Sequence, residues 1–426
     1  MTFDKITYKL FILYWPLVML NYFLLMSTKI NLTIFLVDVP LVFFMLKSVL
    51  ICSKNNKNQF VAFFSICLAL ILLTIGDYVF NDTPFVCYLQ ALQYYVAPLC
   101  FAPLGYSLAT NHDYNKYYIY ACAACFVIGF YLYATLPPYY MTYLAEVQGF
   151  ENYRQEELMG LTRFSSFLPG SYNISYLSVP ALILSLAYSS NEHANIKKWL
   201  SYVIAVISFI AAILCQQRIA MFFAVFVVVF YLFYFSNRGN KKFIIIVLGV
   251  VLLLFAIINH FVSEMAFFDV LKENIIDRYQ KMDFSVAMAE RTGQYSGFNR
   301  ATNWSYFTGL GLGSCGHLAI PYNLQTINDG EFVKTFYEFG FFITLLLFIL
   351  VLITLVRGLR LFKFLNAEVL IMIFFLGACF GASALTFFIY SSMFWFAMGR
   401  IWNKNYLALR KQEYAKNQIV KMNHCS

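Results

Sequence analysis

Long, continuously apolar runs constrain the fold of this chain more than any other feature. The stretches 219–236 and 332–356 are examples, and each is close to the ~20 residues that an α-helix needs to cross a bilayer. The runs do not alternate between polar and apolar residues, which argues against a transmembrane β-barrel. Hydrophobic residues make up 61% of the chain and charged residues only 12%. The sequence therefore predicts an all-α, polytopic integral membrane protein.

Hydropathy predicts about twelve transmembrane helices, and we interpret residues 1–426 as a single membrane domain. The predicted spans are 10–28, 31–51, 60–80, 85–109, 117–136, 171–190, 199–215, 219–236, 242–260, 332–356, 367–384 and 386–402. The last two are short and share the small-residue stretch 377–383, so they could instead form a re-entrant pair. The tail 403–426 is polar and basic, and we expect a cytoplasmic surface helix or a disordered segment.

The distribution of lysine and arginine predicts the orientation. If the N-terminus is cytoplasmic, most basic residues of the short loops and the tail fall on the cytoplasmic side, as the positive-inside rule requires. The even number of spans returns the C-terminus to the cytoplasm. Two large loops, 137–170 and 260–331, then face outward. The net charge of +9 is therefore interpreted as a signal of topology, and no nucleic-acid partner is predicted.

The ten cysteines are scattered, mostly in apolar segments. Cys122 and Cys125 form a C-A-A-C motif inside a predicted span, where small core residues are a better interpretation than a zinc or redox site. Neither large loop carries a convincing cluster of metal ligands. We therefore predict no metal and no cofactor. The tyrosine-rich stretch 137–143 could line a sugar-binding platform.

Several arginines lie on the predicted outer face, against the positive-inside trend: Arg163, Arg218, Arg291 and Arg300. A single arginine near the membrane surface is usually a snorkelling anchor. Several on one face favour a different interpretation, because the guanidinium group binds phosphate in a bidentate manner. An outward basic pocket beside the membrane suggests a lipid-linked phosphate or pyrophosphate.

The segment 307–317 reads FTGLGLGSCGH and satisfies the letters of the dinucleotide-binding motif G-x-G-x-x-G. That motif requires a preceding strand and a βαβ unit, whereas the residues before it are polar and irregular and a transmembrane span follows. Nucleotide binding is therefore not predicted. Glycines also form turns and allow close backbone approach to a ligand, and Gly309, Gly311, Gly313 and Gly316 could do either. His317 is either structural or a general base.

Several segments follow one another in a characteristic order: Arg291-Thr-Gly-Gln-Tyr295, Gly309-Leu-Gly311-Leu-Gly313, His317, Asn328-Asp329 and Glu338-Phe-Gly340. This order resembles the O-antigen polymerase and O-antigen ligase superfamily of bacterial inner-membrane glycosyltransferases. Arg163–Pro169 is similar to the family's first-loop arginine segment, and Gln217–Ala220 to its S-R-x-A corner. The predicted spans and two large periplasmic loops resemble the family's GT-C-like architecture over nearly the whole chain.

The resemblance implies transfer of a growing polysaccharide from undecaprenyl pyrophosphate to a lipid-linked repeat unit, on the periplasmic face of the inner membrane. We expect Arg163, Arg218 and Arg291 to bind the pyrophosphate and His317 to act as base. Glu338 would orient His317 or replace it, and Asp329 is a weaker candidate. Arg300, with Trp304 four residues after it, fits the aromatic spacing but lies too close to the glycines, so it is the second choice for the loop arginine.

Polymerase and ligase remain alternatives, and we favour polymerase. Leu318 follows His317 at a position where the ligase branch carries asparagine. A flippase for lipid-linked oligosaccharides is a further alternative, although no internal repeat is evident. The expected partners are undecaprenyl-pyrophosphate-linked oligosaccharides and membrane lipid, together with a separate co-polymerase that regulates chain length.

Overall fold

The computed structural model describes residues 3–55, 58–73, 84–148, 164–189, 196–236, 305–315, 330–380 and 382–425. Every regular element in these residues is helical. A helix overlaps each predicted span that lies in the described residues, and only the predicted span 242–260 lies outside them.

The helices of the first half are α1 (Phe3–Thr28), α2 (Ile34–Lys54), α3 (Gln59–Leu73), α4 (Phe85–Ser107), α5 (Asp113–Thr135), α6 (Pro138–Gln148), α7 (Ser171–Ser189), α8 (Lys198–Leu214) and α9 (Arg218–Ser236). The helices that follow are α10 (Ser305–Thr308), α11 (Glu331–Arg360), α12 (Phe362–Ala378), α13 (Ser392–Trp402) and α14 (Lys404–Cys425). The tail therefore forms a helix, one of the two alternatives considered for it.

Five helices within the described residues are long and apolar enough to cross a membrane: α1, α2, α4, α5 and α11. Shorter apolar helices include α3, α8 and most of α9. Large aromatic side chains such as Phe222 and Phe233 are about 70% and 69% exposed, which suits a lipid-facing surface. The chain is therefore a helical, multi-pass membrane protein. The finer division into about twelve spans remains a prediction.

The last predicted span, 386–402, is not a continuous helix. Helix α12 ends at Ala378, and α13 contains only 11 residues, which corresponds to about 16 Å against the ~30 Å of the hydrocarbon core. The irregular backbone between them is bonded to a buried side chain, because Leu385 donates its N–H to the Glu331 carboxylate. Irregular backbone at membrane depth is tolerated where protein groups satisfy it in this way.

The backbones of helices α13 and α4 approach each other so closely that almost no side chain lies between them at the crossing. A Cβ on Gly399 would lie 2.0 Å from the carbonyl oxygen of Ala102, and a Cβ on Gly105 would lie 2.3 Å from that of Phe396. Small residues at a helix crossing allow such backbone approach in membrane proteins. This crossing fixes α13, and with it the end of the irregular segment 382–391, against α4.

Two of the three tyrosines in the stretch 137–143 are structural, whereas Tyr139 is 50% exposed. Tyr140 donates its hydroxyl to the Ser166 carbonyl at 2.9 Å, and Tyr143 donates to the Phe167 carbonyl at 2.7 Å. Both rings are buried. These hydroxyls hold α6 against the segment before α7, so neither ring lines an open sugar platform.

Candidate functional site

The glycine segment 309–315 lies directly against the first part of α11. Leu310 donates its N–H to the Tyr337 carbonyl at 2.7 Å, and Gly311 donates to the Glu338 carbonyl at 3.0 Å. These carbonyls are available because α11 is kinked at Gly340, which has φ +72° and ψ 179°. The kink leaves these carbonyl groups without their donors in the helix. The N–H groups of the glycine segment bond to them instead.

Glycine is required on both sides of this contact. A Cβ on Gly309 would lie 2.3 Å from the Glu338 carbonyl oxygen, and a Cβ on Gly340 would lie 2.3 Å from the Phe307 carbonyl oxygen. Gly309 and Gly340 also have positive φ, a conformation that glycine adopts without steric cost. These two glycines therefore approach the backbone of α11 closely, and the described part of the stretch is packed against that helix. Approach of the glycines to a ligand stays a prediction.

Glu338 is the candidate catalytic residue that the structure brings to this segment. Its side chain is completely buried, and its Oε1 accepts the N–H of Cys315 at 3.2 Å. The amide of Gly313 and the hydroxyl of Tyr95 also face the carboxylate. The second oxygen, Oε2, is buried with no hydrogen-bond partner. Glu338 thus holds the glycine segment with one oxygen and retains the other as an acceptor.

Two further ionisable residues of α11 share the face of Glu338. Glu331 and Lys334 are spaced by three residues, and Lys334 and Glu338 by four, so all three side chains lie along one side of the helix. All three are buried, and Lys334 interacts electrostatically with both carboxylates. The Lys334 Nζ lies 4.7 Å from the centre of the Tyr95 ring on α4.

Glu331 holds the irregular segment between α12 and α13, as Glu338 holds the glycine segment. Its Oε2 accepts the N–H of Leu385 at 3.0 Å and the hydroxyl of Thr386 at 3.2 Å, while Oε1 has no partner. With two acids and one base, the three groups carry one excess negative charge when all are ionised. A buried unpaired charge is costly, so the cluster favours binding a proton or polarising a nearby hydroxyl group.

Arg218 begins α9, with its side chain exposed. The Cδ1 of the next residue, Ile219, lies 3.6 Å from where a Cβ on Gly377 would stand, near the end of α12. Two residues further on, the Cys379 carbonyl accepts the N–H of Glu331. The start of α9 therefore lies at the same end of the bundle as the acidic cluster. The outward placement of Arg218 stays a prediction.

The other predicted site residues, Arg163, Arg291, Arg300, Gly316, His317 and Asp329, lie outside the described residues. Their roles stay predictions. Sequence reasoning missed Lys334, Tyr95 and the role of Glu331. The spacing of Glu331, Lys334 and Glu338 at the start of an apolar run could have indicated a buried charged face, whereas Tyr95 carries no sequence signal.

A second buried polar cluster lies at the other end of α11. Arg400 is only 1% exposed; its Nη2 donates to the Asn111 carbonyl at 2.7 Å, and its Nη1 lies 3.6 Å from Oε1 of Glu368. Tyr406 donates its hydroxyl to the same Glu368 oxygen at 2.5 Å. Burial and the nearby Arg400 guanidinium lower the pKa of His112 to about 4. This cluster attaches α14 to the bundle.

No model of a known protein family matches the chain, and comparison with curated proteins gives no significant match. The functional interpretation therefore depends on the geometry above and on the sequence resemblance.

Proposed function

We propose that this chain is a glycosyltransferase that uses a polyprenyl-pyrophosphate-linked donor, and specifically a polymerase of O-antigen or a related surface polysaccharide. The observation that most supports this proposal is the fully buried Glu338 carboxylate. One of its oxygens accepts a hydrogen bond from the glycine segment, two residues before His317, and the other has no hydrogen bond of standard geometry. A buried acceptor beside a glycine-supported loop suits the removal of a proton from a sugar hydroxyl.

In the proposed reaction, the hydroxyl oxygen of the acceptor repeat unit attacks C1 of the donor's reducing-end sugar. The bond from C1 to the pyrophosphate oxygen breaks, and undecaprenyl pyrophosphate leaves. The hydroxyl proton passes to His317, oriented by Glu338, or to Glu338 directly. The negative charge that develops on the pyrophosphate is stabilised by Arg163, Arg218 and Arg291, with Arg300 as the alternative to Arg291.

Glu338→Gln tests the proposal with little disturbance of packing, because the amide oxygen can still accept the N–H of Cys315. We expect a deletion strain complemented with this variant to lose long-chain polymer, with lipopolysaccharide core bearing at most one repeat unit on a silver-stained gel. The matched control is Glu146→Gln, since Glu146 is exposed and pairs with Lys29 at 2.8 Å. Normal ladders from stably expressed Glu338→Gln would contradict the proposed role.

The same gels distinguish the polymerase from the ligase alternative. Loss of a polymerase leaves core capped with one repeat unit, whereas loss of a ligase leaves uncapped core and lipid-linked polymer. We propose the polymerase, on the departure at Leu318 from the ligase pattern.

A transporter of lipid-linked oligosaccharides is the second candidate, and buried charge favours it. Glu331, Lys334 and Glu338 are buried at one end of α11, and Arg400 and Glu368 at the other. Ionisable residues buried in membrane helices often mark transport pathways. Purified protein in liposomes with lipid-linked repeat units separates the two: longer polymer indicates the enzyme, and translocation without polymer indicates the transporter.

A further inference from the structure

Two one-turn π-helical segments lie in the membrane helices: Ile34–Asp38 begins α2, and Leu92–Val96 interrupts α4. Such turns are rare and occur often at functional sites. Here they bring Asp38 and Gln93 together, with the Gln93 Nε2 donating to Asp38 Oδ1 at 2.5 Å. Asp38 is the fifth residue of α2, so it lies about 6 Å along the axis from the helix start. A carboxylate at this depth is a candidate for function.

Aromatic rings surround this pair. The Tyr94 ring centre is 5.0 Å from that of Phe387, and the Tyr172 ring centre is 6.5 Å from the same ring. Tyr22 lies close to Asp38, Tyr94 and Tyr172. Asp38, Gln93, Tyr94 and Phe387 are half-buried, and Tyr172 is 42% exposed. These side chains are therefore partly exposed, unlike those of the acidic cluster on α11.

One π turn connects this group to the acidic cluster. Its consecutive residues Gln93, Tyr94 and Tyr95 contact Asp38, Phe387 and Lys334, respectively. The irregular segment after α12 makes a second connection, because Leu385 bonds to Glu331 while Phe387 packs on Tyr94. A ligand bound at the Asp38 group would therefore lie next to backbone segments that also hold the buried acidic cluster.

We propose that Asp38, Gln93, Tyr94, Tyr172 and Phe387 form a subsite for one pyranose residue of the oligosaccharide substrate. A pyranose has hydroxyl groups around its edge and an apolar C–H face. The carboxylate and amide bind adjacent hydroxyls, and the aromatic rings pack against the C–H face, the combination of few polar groups and aromatic walls found in small-ligand sites. This subsite rests on the proposed function and identifies where the sugar beyond the reacting one binds.

The test measures binding separately from turnover. The probe is the oligosaccharide repeat unit released from its lipid carrier by mild acid, titrated into the purified full-length chain in detergent and followed by saturation-transfer difference NMR. We expect Gln93→Leu and Asp38→Asn to weaken binding at least tenfold. Tyr172→Ala, at an exposed position, provides a variant that retains the fold if the other two unfold. Glu146→Gln is the control and binds as the parent does.

The outcomes separate the subsite from the proposed reaction. Unchanged binding by folded Gln93→Leu and Tyr172→Ala would overturn the subsite and leave the polymerase proposal standing. Weakened binding by these variants, with no polymer formed by the parent protein from lipid-linked repeat units, would support the subsite and refute the polymerase. If the parent bound neither the free nor the lipid-linked oligosaccharide, the subsite would also be overturned.

Discussion

Gly340→Ala tests the central geometric claim, that the kink of α11 and the glycine segment support each other. Gly340 has φ +72° and ψ 179°, a region that only glycine occupies readily and that costs another residue ~1–3 kcal/mol. The new Cβ would also lie 2.3 Å from the Phe307 carbonyl oxygen and 2.5 Å from the Gly309 nitrogen. Both contacts are with backbone, so a side-chain rotation cannot relieve them.

The glycine segment must therefore move, and the hydrogen bonds from Leu310 and Gly311 to α11 are lost with it. Each such bond contributes about 0.5–1.5 kcal/mol. Together with the backbone strain, we expect a destabilisation of about 2–6 kcal/mol, concentrated at the site. The displaced segment also removes the Cys315 N–H from Glu338, so activity falls even if the bundle remains folded.

Thermal unfolding of the purified protein in detergent and the polysaccharide ladder of a complemented strain provide the two measurements. Gly377→Ala is the matched control, because that glycine is helical and the nearest atom to a new Cβ is Ile219 Cδ1 at 3.6 Å, an ordinary contact. We expect the control to be neutral or more stable by up to about 1 kcal/mol, since alanine favours a helix. If Gly340→Ala matched it in both stability and ladder, the proposed coupling would be wrong.

Three other predictions concern neighbouring parts of the molecule. Gly399→Ala places a Cβ 2.0 Å from the Ala102 carbonyl oxygen, so we expect a lower unfolding temperature from separation of α13 and α4. Glu331→Ala leaves the buried N–H of Leu385 without its acceptor, which costs about 1–3 kcal/mol. Glu331→Gln retains this hydrogen bond and should therefore lose less stability. Equal losses of stability for the two variants in a thermal unfolding assay would contradict this. The pKa of His112 is lowered to about 4 in the folded protein, against ~6.5 in the unfolded chain. Between these pH values the unfolded chain binds more protons than the folded protein does. The free energy of unfolding therefore falls as the pH drops from about 6.5 to 4, by up to ~3 kcal/mol. Replacing His112 with Gln should flatten that part of the stability profile.

Glu338 is the residue for which the sequence resemblance predicts a role and the structure gives a detailed environment. Its place after the glycine stretch was sufficient to select it as a site residue, yet its bond to Cys315 depends on a kink that hydropathy does not reveal. Lys334 and Tyr95 could not be paired from the sequence, since they lie on different helices far apart in the chain. Likewise, the break between α12 and α13 depends on Glu331, which bonds to Leu385 54 residues away.

The sequence by itself determined that this chain is a bundle of membrane-crossing helices, because apolar length and composition are local properties that a bilayer selects directly. The tertiary structure alone decided where those helices are interrupted and what the interruptions contact. The kink at Gly340 and the irregular segment before α13 leave backbone groups that bond to distant partners, and the π turns bring the side chains of Asp38 and Gln93 together. Such partners are defined by packing, and packing brings together residues whose separation along the chain carries no periodic signal.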